Sequence, residues 1–154
     1  MAGVRGRALA PAARAFGDRG PRSEAIRAWL HADGDLELIW AAAMAIDETR
    51  HALEDHREFR LFVTAWNDSG LARLSTGLVP AAALADVPAD QIDRCFRRAG
   101  RDWVVRHHVL DRIVFAVYDM IQAPPFPRCH LIMVREVLAR LRSGPRNRVL
   151  SSLG

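Results

Sequence analysis

The sequence predicts an all-α fold: a single-domain helical bundle or orthogonal array of about six or seven helices. Three observations predict it. Ala, Leu, Val and Arg dominate a chain of 154 residues that is 50% hydrophobic and only 7% aromatic, a composition that favours helix over strand. Apolar residues recur at three- and four-residue spacing along most of the chain. No segment alternates apolar and polar residues, with β-branched side chains, for more than a few positions. The length suits one domain with enough apolar residues for a core.

Residues 1–22 read as a flexible basic N-terminal tail. They lack the apolar stretch of a secretory signal, although an arginine-rich, acid-poor composition is also what a mitochondrial presequence has. The helical domain spans 23–143. Ser23 caps a first helix, with Glu24 in its first turn, Ile26, Trp29 and Leu30 at helical spacing, and Gly34 as its stop. The longest periodic run follows. Leu36, Ile39, Ala43, Ile46 and Leu53 share a face that Trp40 and Met44 widen, and Phe59, Phe62, Val63 and Trp66 resume it. This reads as one long helix, broken near the charged tract 55–58.

Asn67 to Gly70 form a turn. A short helix ends at Gly77, another begins at Pro80, and Pro88 opens a helix over 89–99 with Asp90 in its first turn and Gly100 at its end. Asp102 caps a long apolar helix over 103–122. "APPFP" (123–127) is a rigid linker. Pro127 starts the final helix, with Leu131, Val134, Val137, Leu138 and Leu141 inward. Gly144 and Pro145 stop it, which leaves 144–154 as a frayed C-terminal tail. The four tryptophans, Trp29, Trp40, Trp66 and Trp103, fall in or near the core.

The net charge of +4 is unevenly spread, and all 22 basic residues are Arg. The tail carries +4, residues 23–90 carry −7, and residues 91–154 carry +7. On a helix over 89–99, Ile92, Cys95, Phe96 and Ala99 form one stripe, and Arg94, Arg97, Arg98 and Arg101 fall within an arc of about 100° on the other side. His108 and Arg112 extend that cationic edge onto the next helix. Planar guanidinium groups so arranged suit a sugar–phosphate backbone. The segment 83–98, "ALADVPADQIDRCFRR", also resembles the middle of a helix-turn-helix motif, with a turn about three residues short.

These features predict a non-enzymatic binding or regulatory domain. Its nucleic-acid contacts, to DNA or RNA phosphates, would be Arg94, Arg97, Arg98, Arg101, His108 and Arg112. One alternative is a protein–protein adaptor or homo-oligomer, in which the basic C-terminal region meets an acidic protein or the acidic middle of another copy, with Asp33, Asp35, Glu37, Glu54, Asp55 and Glu58 as the counter-surface. Another is a helical-bundle metal-dependent enzyme built on Glu48 and His51, which have the i, i+3 spacing of half a carboxylate-bridged di-iron site, with His107. No second copy of that motif exists. The sequence has no P-loop, no dinucleotide glycine fingerprint, no nucleophile elbow and no paired-cysteine metal motif. No cofactor, catalytic residue or metal ligand is therefore expected. Cys95 and Cys129 lie far apart, which fits a reducing, cytoplasmic setting, and no apolar run is long enough to span a membrane.

Overall fold

The computed structural model describes residues 25–32, 36–122, 128–134 and 136–153. The expected tail over 1–22 and the linker 123–127 lie outside them. The architecture is mixed α/β, which corrects the all-α expectation. Strand β1 (Ile26–His31) leads to α1 (Leu36–Ala52), then β2 (Phe59–Ala65) and α2 (Asp68–Leu74). A small antiparallel unit follows. It comprises β3 (Leu78–Val79), a 3₁₀ turn (Ala81–Leu84), α3 (Ala89–Cys95), β4 (Phe96–Ala99) and β5 (Asp102–Val105). The chain then forms α4 (His107–Leu110), β6 (Ile113–Val117), β7 (Leu131–Val134), α5 (Val137–Arg140) and α6 (Ser143–Leu153).

The main sheet has the order β6-β2-β1-β7, and every pairing in it is parallel. Parallel strands need cover on both faces, and the alternation of side chains supplies it. Ala28 and Leu30 of β1, with Leu61 and Val63 of β2, join an apolar cluster with Ile39, Trp40 and Ala43 of α1. Their neighbours Trp29 and Phe62 point the other way, into a second cluster with Val137 of α5, Val149 of α6 and Met120. Leu30, Leu61 and Val63 are fully buried, and each such side chain stabilises the fold by about 1.5–3 kcal/mol relative to exposure. The small sheet, ordered β3-β5-β4, adds Val79, Phe96 and Val105 to the first cluster.

The expected helices fail where strands are buried on both faces. Such strands read as continuous apolar runs rather than alternating ones, so the search for alternation passes over them. Thus 26–31 is strand, the supposed long helix breaks at Leu53–Glu58 into α1 and β2, and the supposed helix 103–122 divides into β5, α4 and β6. The helix over 89–99 ends at Cys95 and continues as β4, which turns at Gly100 (φ +65°) into β5. The segment expected to fray carries α6, with Val149 buried. Among the described residues no helix is long and apolar enough to cross a membrane.

The turn that brings the chain from α1 into β2 is held by charge. Arg57 donates to Asp55 through its backbone N–H at 3.0 Å and through Nε at 2.9 Å. These bonds lower the Asp55 carboxyl from 3.8 to about 2. A carboxyl whose folded value lies below its unfolded one stabilises the fold above the unfolded value, and that contribution disappears as pH falls through about 2. An NMR titration of Asp55 should show a midpoint near 2, and Arg57→Gln should return it to the ordinary carboxylate range.

Candidate functional site: the carboxyl edge of the parallel sheet

In an open parallel sheet, ligands meet the carboxyl ends of the strands where the direction of winding reverses. Here the chain moves from β1 to β2 and on to β6 in one direction, whereas β7 adds on the other side of β1. The reversal therefore lies between β1 and β7. On the face covered by α5 and α6, the pairing register builds a last row of Val134, His31, Thr64 and Ala116. Two residues further along their strands stand Trp66, Tyr118 and Glu136.

This edge is densely bonded. Trp29 Nε1 donates to Thr64 Oγ1 at 2.8 Å, and Thr64 Oγ1 lies 2.9 Å from His31 Nδ1. A hydroxyl that accepts from the indole and donates to the imidazole serves the Trp29 N–H, its own hydrogen and His31 Nδ1 at once. His31 is only 1% exposed, and its ring meets Trp66 edge-to-face at 4.8 Å. Trp29 meets Tyr118 in the same manner at 5.6 Å. Burial pushes the Tyr118 phenol up, so it is a neutral hydrogen-bonding group at the rim. Asp119 accepts the backbone N–H groups of Ile121 at 2.9 Å and Gln122 at 3.3 Å, and thereby shapes the turn after β6. Glu136, directly after β7, has a left-handed backbone (φ 61°) and accepts from Arg140 at 3.2 Å. A non-glycine residue in that region stores strain, a trait that clusters at functional sites.

The six residues expected to form one cationic edge are distributed differently. Arg94, on α3, pairs with Glu48 at 3.3 Å and Asp90 at 3.8 Å. Arg97 and Arg98 lie on β4, so they point to opposite faces, and Arg98 sits over the Trp103 ring at 4.9 Å. Arg101 follows the Gly100 turn. Arg112 lies over Phe59 at 4.9 Å, pairs with Glu58 at 3.1 Å, and donates to the backbone carbonyl of His108 at 3.2 Å. Helical spacing joined the four arginines in sequence, and the change to strand at Phe96 separates them. Glu48 and His51 build no centre either: Glu48 binds Gln91 and Arg94, and His51 turns back to Asp47. Among the described residues no group of three or more potential ligands gathers for a metal. A small cavity lined by Met44, Asp47, Phe59, Cys95, His108 and Arg112 lies at the opposite, amino end of β2.

A parallel sheet of this order, clad by helices on both faces and reversed at β1, defines a doubly wound nucleotide- or cofactor-binding class of domain. Residues 12–154 match the family model described as CheR methyltransferase, SAM binding domain. The chain belongs to that family, and this membership overturns the reading as a helical nucleic-acid-binding domain, as the mixed α/β fold removes the helical bundle on which the metalloenzyme alternative was built. It is also similar to an "Uncharacterized 104.1 kDa protein in hypE 3'region" of Rhodobacter capsulatus, at 25% identity over 128 residues. That alignment covers 76% of this chain and 13% of the relative, so the chain spans about an eighth of the length of the curated protein it matches.

The family description implies S-adenosylmethionine (SAM), and the residues at the edge do not fit it. The ribose diol of an adenosyl or dinucleotide ligand in such folds is accepted by a carboxylate near the end of the second strand. Here β2 runs out through Thr64, Ala65, Trp66 and Asn67, none of them acidic. Asn67 Oδ1 already accepts from Ser69 at 2.8 Å, and Asp68 opens α2.

Thr64 is the centre of this edge. Thr64→Val keeps the shape and removes the hydroxyl, leaving the buried Trp29 N–H without its acceptor, and should destabilise the fold by about 1–3 kcal/mol. Thr64→Ser should recover most of that loss. Urea unfolding of the three proteins measures it.

Proposed function

We propose that this chain serves as a methyltransferase-like α/β domain of CheR type, and that its ligand-facing surface is the carboxyl edge at the β1/β7 reversal. The observation that carries this reading is the all-parallel order β6-β2-β1-β7, which sets the reversal beside β1 and gathers His31, Trp66, Tyr118 and Glu136 around it. The family description associates SAM with domains of this type, and this edge is where the fold would place such a ligand, although its side chains do not match one. The two free thiols, Cys95 and Cys129, with burial raising the pKa of each, support a reducing, cytoplasmic setting.

A fragment screen followed by backbone amide NMR tests the location. Bound fragments should perturb Ala32, Trp66, Tyr118, Glu136 and Val137. Perturbations centred on Arg94 to Arg101, or on the cavity beside Cys95 and His108, would overturn the assignment of this edge as the ligand face.

A further inference from the structure

We infer that the carboxyl edge has lost its adenosyl-cofactor site, its place taken by the protein's own side chains, so that this domain keeps the methyltransferase scaffold without holding SAM. The inference rests on the reading of this edge as the ligand face, and it adds what that face no longer binds.

Two observations meet here. The first is the chemistry at the end of β2. A ribose diol presents two donors and is best met by a carboxylate, whereas Ala65 and Trp66 offer no acceptor, Asn67 offers only a neutral amide oxygen that already accepts from Ser69 at 2.8 Å, and the nearest carboxylate, Asp68, is displaced into the first turn of α2. The second is occupancy. The last residue of β1, His31, is 1% exposed, and it is sealed by the Trp66 ring at 4.8 Å and by the Thr64 hydroxyl at 2.9 Å. Imidazole and indole thus cover the ends of the two central strands, where an adenosyl ligand has to approach the backbone closely.

The test is calorimetry of the full chain with SAM, and separately with S-adenosylhomocysteine. It is run beside a double variant, Trp66→Ala with Asn67→Asp. The first substitution removes the indole cover. The second is isosteric and adds a carboxylate one position nearer the end of β2 than Asp68, outside the helix. Circular dichroism checks that the variant folds. The wild-type chain should give no binding heat up to about 1 mM ligand, and the double variant should gain a measurable one-to-one isotherm. Micromolar binding by the wild-type chain would overturn the inference outright. Silence from both folded proteins would overturn the assignment of the loss to Trp66 and Asn67. Failure here is distinct from failure of the ligand-face reading, because fragment mapping does not depend on adenosyl ligands.

Discussion

The structure depends on the parallel pairing of β1 with β2. Six consecutive residue pairs, from Ile26↔Phe59 to His31↔Thr64, set this register. A shift of β1 by one residue would send Ala28 and Leu30 to the wrong face and bring Trp29 under α1. The same register brings His31 and Thr64 side by side, so the polar contact at the carboxyl edge follows from the packing of the core. Two strands buried on both faces then demand helices on both sides. Those are α1 against Ala28, Leu30, Leu61 and Val63, and α5 with α6 against Trp29 and Phe62.

The family membership and the side chains at the edge point in different directions. The scaffold is that of a methyltransferase-like domain, with the reversal of winding where a cofactor would sit. The residues at that place contact one another in a chain: the Trp29 indole bonds the Thr64 hydroxyl, that hydroxyl meets His31 Nδ1, and the His31 ring packs edge-to-face on Trp66. Fold and function separate easily, because function resides in a few side chains set on a framework that many sequences can build. The left-handed Glu136 is held in place by its role at the start of α5, where its carbonyl accepts from Ala139 and Arg140 N–H and its carboxylate pairs with the Arg140 side chain.

Parts of this were legible in the sequence. Pro88 does precede a helix that starts at Ala89 with Asp90 in its first turn, and Gly77 and Gly100 do occupy left-handed positions where the chain turns. Trp29 and Trp40 are buried, as their place among apolar residues suggested. The strands were hidden by their own burial. "FRLFVTA" and "IVFAV" place apolar residues at spacings that also satisfy a helical face, and only their shortness and β-branched or aromatic content argue for strand. The site was hidden for a different reason. His31, Thr64, Trp66 and Glu136 become neighbours only through the sheet order, and no local motif announces a contact set by strand register.

The pairing of β1 with β7 joins residues about a hundred positions apart. Arg27 N–H, for example, donates to His130 Nδ1 across 103 residues. Closing so long a loop has to wait until the intervening chain is already compact, and parallel pairings of this kind are slow for that reason. The unit β1-α1-β2 can form from neighbouring segments, whereas β7 and the helices behind it arrive last. Until they do, Trp29 and Phe62 lie open to water on the uncovered face. The carboxyl edge is therefore the final part of the molecule to be assembled, and a chain halted before that step presents its most aggregation-prone surface.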